Sequence, residues 1–308
     1  MSIKTAVQYQ YLVIGGTFKA ATSSVFTYLS AHPGVCGSSV KETAFFIRGY
    51  TGDHATDIKN YLNYFKAPKP DAKVLMEASP GYLGGGGEIA RRIKATLPEA
   101  KLIFILRDPI NRLNSYYNFH IGLLTKDFDR DTSLEEYIER CKSYSEGVAP
   151  GALKMDERHL RALEIGRYAD YLEEYYRVFP RKDIKVVFHE NLNAKPFDFM
   201  VKLSGFIGID PAFYDGYRFE KANVTFSSKV ELLHRIANYA NKRLEKALRQ
   251  RPRIKSKITK AYKLINQRKE GYSSIPESVT AKLTEYYGPS NKKLASLLKG
   301  EDLPQWVK

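Results

Sequence analysis

Short apolar runs alternate with stretches of helical spacing along most of this chain, and that alternation restricts the fold more than any other feature. Residues 11–15 form an apolar run ending in Gly-Gly, the pattern of a buried strand entering a tight turn. A helix is expected over 22–30, closed by His32-Pro33-Gly34. Strands are expected at 74–76 and at Lys101–Leu106, whose sequence KLIFIL is the strongest strand signal in the chain. Between them, residues 88–97 have helical spacing, and Pro109 opens a helix in the favoured first-turn position. A helix over 164–178, a strand at Ile184–Phe188 and a helix at Pro196–Ile207 follow. The fold class implied is α/β: a central, mostly parallel sheet flanked by helices on both faces, with a helical C-terminal part. From Ser228 onward the chain reads as helical, interrupted at Pro252 and across residues 271–276.

A chain of 308 residues suits a single domain over 1–308 better than two small ones. The first apolar stretch, 11–14, is too short for a signal-peptide core or a membrane span, so a cytoplasmic protein is expected. Cys36 and Cys141 have no CxxC companion, and His189-Glu190 is followed at position 193 by Asn193, not by a second histidine. No metal is expected. The net charge of +15 is local: residues 229–269 carry fourteen Lys/Arg against Glu231 and Glu245, which leaves about +3 for the rest. This segment reads as a basic helical insertion of two amphipathic helices. It would suit an anionic acceptor or an anionic membrane surface, with the protein then peripheral to that membrane; nucleic acid ranks behind both.

Two stretches carry the chemistry. Residues 15–24, Gly-Gly-Thr-Phe-Lys-Ala-Ala-Thr-Ser-Ser, join the first strand to the first helix. There an α/β sheet aims free N–H groups and the positive helix end at an anion. Lys19 adds a charge, and Thr22, Ser23 and Ser24 add hydroxyls; a capped helix after a turn is the plainer alternative. The stretch is not a nucleotide-kinase P-loop, because Phe18 and Ala20 stand where that motif needs Gly and Ser/Thr. The second stretch, residues 106–117, puts Arg107 at the C-terminal end of the best strand, with Ser115 two turns into the next helix. A guanidinium fork suits a terminal phosphate, whereas the plainer alternative is a surface pairing of Asp108 with Arg107 or Arg112.

Together these stretches resemble the PAPS-dependent sulfotransferase superfamily, and its bacterial and glycan-modifying branch in particular. That resemblance extends to Lys41-Glu42-Thr43-Ala44-Phe45-Phe46, to Glu77-Ala78-Ser79-Pro80-Gly81-Tyr82, and to Gly166-Arg167-Tyr168, Phe206-Ile207-Gly208-Ile209 and residues 268–271 and 286–294. It implies the P-loop-like sulfotransferase fold and a donor, 3′-phosphoadenosine 5′-phosphosulfate (PAPS, leaving PAP). Thr17, Phe18, Lys19, Ala20, Ala21, Thr22 and Ser23 would hold its 5′-phosphosulfate. Arg107 and Ser115 would hold its 3′-phosphate, and Arg268, Lys269 and Gly271 would belong to a loop closing over the nucleotide. Glu42 is then the implied base for a hydroxyl or amine of a glycan, glycolipid or small metabolite, although by itself it reads as a solvated loop carboxylate. His120, on the helix that carries Ser115, is the rival base. Ala44 and Ala78 stand where the heparan-sulfate branch usually has His and Lys, which argues against a glycosaminoglycan acceptor. Four glycines at 84–87 are expected to form a mobile edge of the acceptor cleft or a flexible turn. The competing readings are a P-loop-like kinase with Asp108 on Mg²⁺, and a basic binding module built on 229–269.

Overall fold

The structure, a computed structural model, describes residues 9–65, 68–123, 132–220, 227–228, 267–268 and 275–308. The chain begins with β1 (Gln10–Gly16), α1 (Thr22–Ala31), β2 (Val35–Gly37), α2 (Phe45–Arg48), α3 (His54–Leu62) and β3 (Val74–Ala78). A 3-10 turn at Pro80–Gly85 leads into α4 (Gly86–Thr96), β4 (Lys101–Leu106) and α5 (Pro109–Leu123). Next come α6 (Leu134–Ser145), α7 (Glu157–Leu160), α8 (Tyr168–Val178), β5 (Ile184–Phe188), α9 (His189–Ala194) and α10 (Pro196–Ile207). The short strands β6 (Ser227–Ser228) and β7 (Gln267–Arg268) precede α11 (Glu277–Leu297). The residues gather into two compact units: the first within Met1–Leu113, Ala162–Asn223 and Glu277–Lys308, the second within Asn114–Arg161 and Val224–Pro276.

The first unit is built on a five-stranded sheet in the order β2-β3-β1-β4-β5, every pair parallel. Alternate side chains of a strand leave opposite faces. Leu12, Ile14, Met76, Ile103 and Ile105 pack with Val25 and Leu29 of α1 and Met200 and Leu203 of α10. Tyr11, Val13, Leu102, Phe104 and Leu106 pack with Ile89 and Ile93 of α4 and Leu172 and Tyr175 of α8. With both faces covered, the central strands must be apolar at nearly every position, which is why KLIFIL is so legible. From β1 the chain crosses to the edge strand β2 and comes back to β3 beside β1, then passes to β1's other side for β4 and β5. The order therefore reverses between β1 and β4, where open α/β sheets leave a crevice at the carboxyl ends of their strands.

Close packing explains the Gly-Gly exit of β1. A Cβ at Gly15 would lie 2.7 Å from the Phe104 ring, and one at Gly16 would lie 2.8 Å from Cβ of Leu83. Forcing either in would cost about 1–3 kcal/mol in overpacking.

The glycines at 84–87 do not form an open edge. Gly84, Gly86 and Gly87 are buried, and α4 starts among them. At Gly86, whose φ is +53°, a side chain would run into the carboxylate of Glu174. The backbone N–H of Gly87 donates to that carboxylate's Oε2. The requirement is room for Glu174 against the helix start, a need that composition does not reveal.

In the second unit, the Tyr116 hydroxyl lies 2.9 Å from Nδ1 of His159, and Tyr137 donates to the His159 carbonyl at 2.7 Å. Strands β6 and β7 pair antiparallel, so Ser228 and Arg268 stand in extended backbone where helix was expected. The basic helices expected between them lie outside the described residues. Among the described residues, no helix is long and apolar enough to cross a membrane.

Candidate active site

The loop leaving β1 is shaped by two non-glycine residues in left-handed backbone, Lys19 (φ 66°) and Ala21 (φ 62°). Each costs roughly 1–2 kcal/mol and persists only where the surroundings impose it. Ala21 occupies the N-cap position of α1, and no side chain caps the helix there. Thr22, Ser23 and Ser24 lie inside the first turn, so the reading of this stretch as a side-chain-capped helix does not hold. A helix start without a side-chain cap is suited to an external anion. The Thr17 N–H donates to the Ile105 carbonyl at 2.8 Å, tying the loop to β4. The Thr17 hydroxyl is buried without a hydrogen-bond partner among the described residues, at a cost of about 1–3 kcal/mol.

Two cations meet on this loop. Burial first, and the Arg107 guanidinium second, push the Lys19 ammonium down from its ordinary 10.5 to about 8. Arg107 Nη1 donates to the Lys19 carbonyl at 3.0 Å. Among the described residues no carboxylate pairs with Arg107. Its own carbonyl accepts from the Tyr168 hydroxyl at 2.7 Å, which fixes the end of β4. The expected surface pairings of Asp108 are replaced by local ones. Asp108 Oδ1 accepts from the N–H groups of Ile110 (2.8 Å) and Asn111 (3.1 Å), starting α5, and its own N–H donates to Glu190. Arg112 is buried, 1% exposed, and donates to the Ala162 carbonyl.

Glu42 belongs to the same sheet edge. Its N–H donates to the Ala78 carbonyl at 2.9 Å, and Ala78 pairs in register with Ile14 of β1. A Cβ on Gly81, just beyond β3, would stand 3.4 Å from the Phe18 ring, so the loops after β1 and β3 touch. The Glu42 side chain is 51% exposed and pairs with Lys41 at 2.6 Å, an interaction worth at most about 1 kcal/mol. Its backbone, like that of Ala44, is left-handed (φ 64° and 50°). Ala78 is fully buried.

Glu77 opens one of the stretches that carry the resemblance, but the sequence assigns it no role. It is fully buried in β3 and accepts hydrogen bonds from the hydroxyls of Thr43, Ser79 and Tyr82. The available signal was a charged residue inside the otherwise apolar run VLMEA.

The remaining expected residues fall in the second unit. Ser115 is 2% exposed on α5. The His120 ring lies 4.4 Å, centroid to centroid, from both Tyr116 and His159. Arg268 is in β7; Lys269 and Gly271 lie outside the described residues.

A five-stranded parallel sheet with a tight strand-to-helix loop at its switch point defines a P-loop-like α/β fold. The family model for the sulfotransferase domain matches residues 91–300, well over half of the chain. The chain belongs to the sulfotransferase family. A bifunctional heparan sulfate N-deacetylase/N-sulfotransferase of Drosophila melanogaster is 25% identical over 97% of this chain and 27% of its own length. A human heparan sulfate glucosamine 3-O-sulfotransferase 6 is 24% identical over 96% of this chain and 73% of its own. This chain therefore spans little more than a quarter of the fly relative. A crystal structure of a sulfotransferase from Alicyclobacillus acidocaldarius superposes with a TM-score of 0.63 at 19% identity, covering 97% of this chain and 99% of that one.

Proposed function

We propose that the protein transfers a sulfuryl group from PAPS to a hydroxyl or amine of a glycan-type acceptor. The observation that carries this reading is the meeting of Lys19 and Arg107 at the carboxyl ends of β1 and β4. Burial and a neighbouring guanidinium both disfavour the charged form of Lys19, and a bound anion favours it. The helix start without a side-chain cap and the buried Thr17 hydroxyl, which has no hydrogen-bond partner among the described residues, fit the same occupant. PAPS has anionic groups at both ends of its ribose, and supplies a sulfuryl group already activated on its 5′-phosphate.

In this reading the backbone of residues 17–22 and the hydroxyls of Thr22 and Ser23 hold the 5′-end, with Phe18, Ala20 and Ala21 shaping the loop. Lys19 neutralises charge as it grows on the leaving oxygen, and Arg107 takes the 3′-phosphate in a two-pronged contact. Ser115, Arg268, Lys269 and Gly271 keep the nucleotide-binding parts that the family resemblance assigns them. Sulfuryl transfer needs placement and charge stabilisation more than covalent help. A sulfuryl group carries less charge than a phosphoryl group, so one lysine and a ring of amides can serve where a kinase needs a divalent ion. Glu42 accepts the proton of the acceptor at the neighbouring β3 edge, with His120 as the alternative base.

The named substrate of the relatives above is heparan sulfate; we carry over only its class, a glycan, because Ala44 and Ala78 depart from that branch's pattern. Transfer of radiolabelled sulfate from PAPS to a panel of glycans, glycolipids and phenols tests the reading. We expect labelling of a glycan or glycolipid. Absence of PAP binding together with absence of label on every acceptor would overturn it.

A further inference from the structure

Glu77 stands at the centre of a two-layer hydrogen-bond relay. Thr43 Oγ1 and Ser79 Oγ donate to its Oε2 at 2.5 and 2.9 Å, and the Tyr82 hydroxyl donates to Oε1 at 2.8 Å. Each of these hydroxyl oxygens in turn accepts a backbone N–H. Ser79 Oγ takes that of Ala44 at 3.0 Å, Thr43 Oγ1 that of Phe45 at 3.2 Å, and the Tyr82 hydroxyl that of Phe46 at 3.3 Å. Three consecutive amides thus reach one carboxylate through three hydroxyls. The polarity enforces itself. Each hydroxyl spends its hydrogen on the carboxylate and has only lone pairs left to offer outward. Those lone pairs meet the N–H groups at the start of α2, which the helix cannot satisfy internally.

The relay ends on the segment whose backbone is least comfortable. Glu42 and Ala44 both sit in left-handed conformations that L-residues adopt only where the surroundings dictate them. Burial pushes the Glu77 carboxyl above its ordinary range, and the three hydroxyls oppose that push. A carboxylate is an expensive way to fill a packed strand position, and an apolar side chain could fill it without that cost.

We propose that Glu77 is a positioning residue that holds the 42–46 loop, through Thr43, Ser79 and Tyr82, in the conformation that aims Glu42 at the acceptor. This rests on the reading of Glu42 as the base. Glu77→Gln keeps the shape but puts a donor where an acceptor stood. At least one hydroxyl must then turn its hydrogen away from position 77, which weakens its hold on the backbone N–H it accepts.

Hydrogen exchange of the full chain reads this without an acceptor. The amides of Ala44, Phe45 and Phe46 should exchange at least about tenfold faster in Glu77→Gln, with β1 and β4 amides unchanged. PAP affinity should stay at the wild-type value. Release of inorganic sulfate from PAPS, with water as the acceptor, should fall at least about tenfold. Should Glu77→Gln fail to fold, Thr43→Val at its half-buried position removes one arm, and should expose the Phe45 amide with a smaller loss of sulfate release. Unchanged exchange at 44–46, or lost protection with wild-type sulfate release, overturns the inference. Glu42→Gln separates the two ideas: it should keep both amide protection and PAP affinity while losing turnover. If it turns over normally, the base is misassigned, and Glu77's catalytic purpose falls with it.

Discussion

Two neighbouring parts of one sheet edge treat charge in opposite ways. After β1 and β4, Lys19 and Arg107 are crowded together on a strained loop, with a helix start that no side chain caps. Near the end of β3, a single carboxylate is buried and satisfied by three hydroxyl donors. The first gathers two cations whose charged forms an anion would favour; the second surrounds one carboxylate with donors from the chain itself. On the proposed reading the first region serves a ligand and the second holds other residues still. The contrast can be tested by asking which region responds to nucleotide and which does not.

The largest expected effect is on donor selectivity. If Arg107 takes the 3′-phosphate in a charge-assisted contact, PAP should bind more tightly than AMP by on the order of 2–4 kcal/mol, roughly 30- to 1,000-fold. Arg107→Ala should erase most of that difference. Calorimetry giving equal affinities for PAP and AMP in the wild type would show that Arg107 is not a phosphate anchor.

Next comes turnover. Lys19→Ala and Glu42→Gln should each reduce sulfate transfer by at least roughly 100-fold, and only the first should also weaken PAP binding. A fully active Glu42→Gln beside an inactive His120→Ala would move the base into the second unit.

A smaller effect concerns pH. Lys19 must be protonated to hold an anion, and in the free protein it loses its proton near pH 8 instead of near 10.5. An anion stabilises the protonated form, so the bound pKa lies higher. Between the two values PAP affinity should fall by up to about tenfold per pH unit. In the free protein the sign is opposite for stability. The folded state binds fewer protons here than the unfolded one, so Lys19's contribution to stability rises between pH 8 and 10.5. PAP affinity that stays flat from pH 8 to 10 would mean that Lys19 does not contact the ligand.

The smallest effect lies in the second region. Tyr82→Phe removes one donor to Glu77 and the acceptor for the Phe46 N–H. It should cost about 1–3 kcal/mol of stability while leaving PAP affinity unchanged, measured by thermal unfolding and calorimetry on the same sample. A matching loss of PAP affinity would erase the distinction between the two regions.

Elements with a strong local signature were legible in advance. KLIFIL announced β4, with Ile184–Phe188 close behind, because strand residues covered on both faces leave little room for polar ones, and Pro196 announced the start of its helix. The three-residue strand β2, Val-Cys-Gly, was not legible: it is too short to show a period and is held by its pairing to β3. Residues 84–87 looked open because glycine signals both freedom and crowding, and only the position of Glu174 tells which applies. Helix α8 was expected from Glu164, but a 3-10 turn intervenes where Gly166 passes close to the Tyr287 ring.

By itself the sequence determined the α/β class and the order of its main elements. Each of those is written in a local period or in a run of adjacent residues. Only the tertiary structure decided that Lys19 and Arg107 share one edge, since that depends on β1 and β4 being neighbours across the switch point. Only it revealed Glu77 as the anchor of the loop that carries Glu42, because the three hydroxyls converge from positions 43, 79 and 82. Local chemistry can be read along a chain, but convergence requires knowing which strands lie side by side.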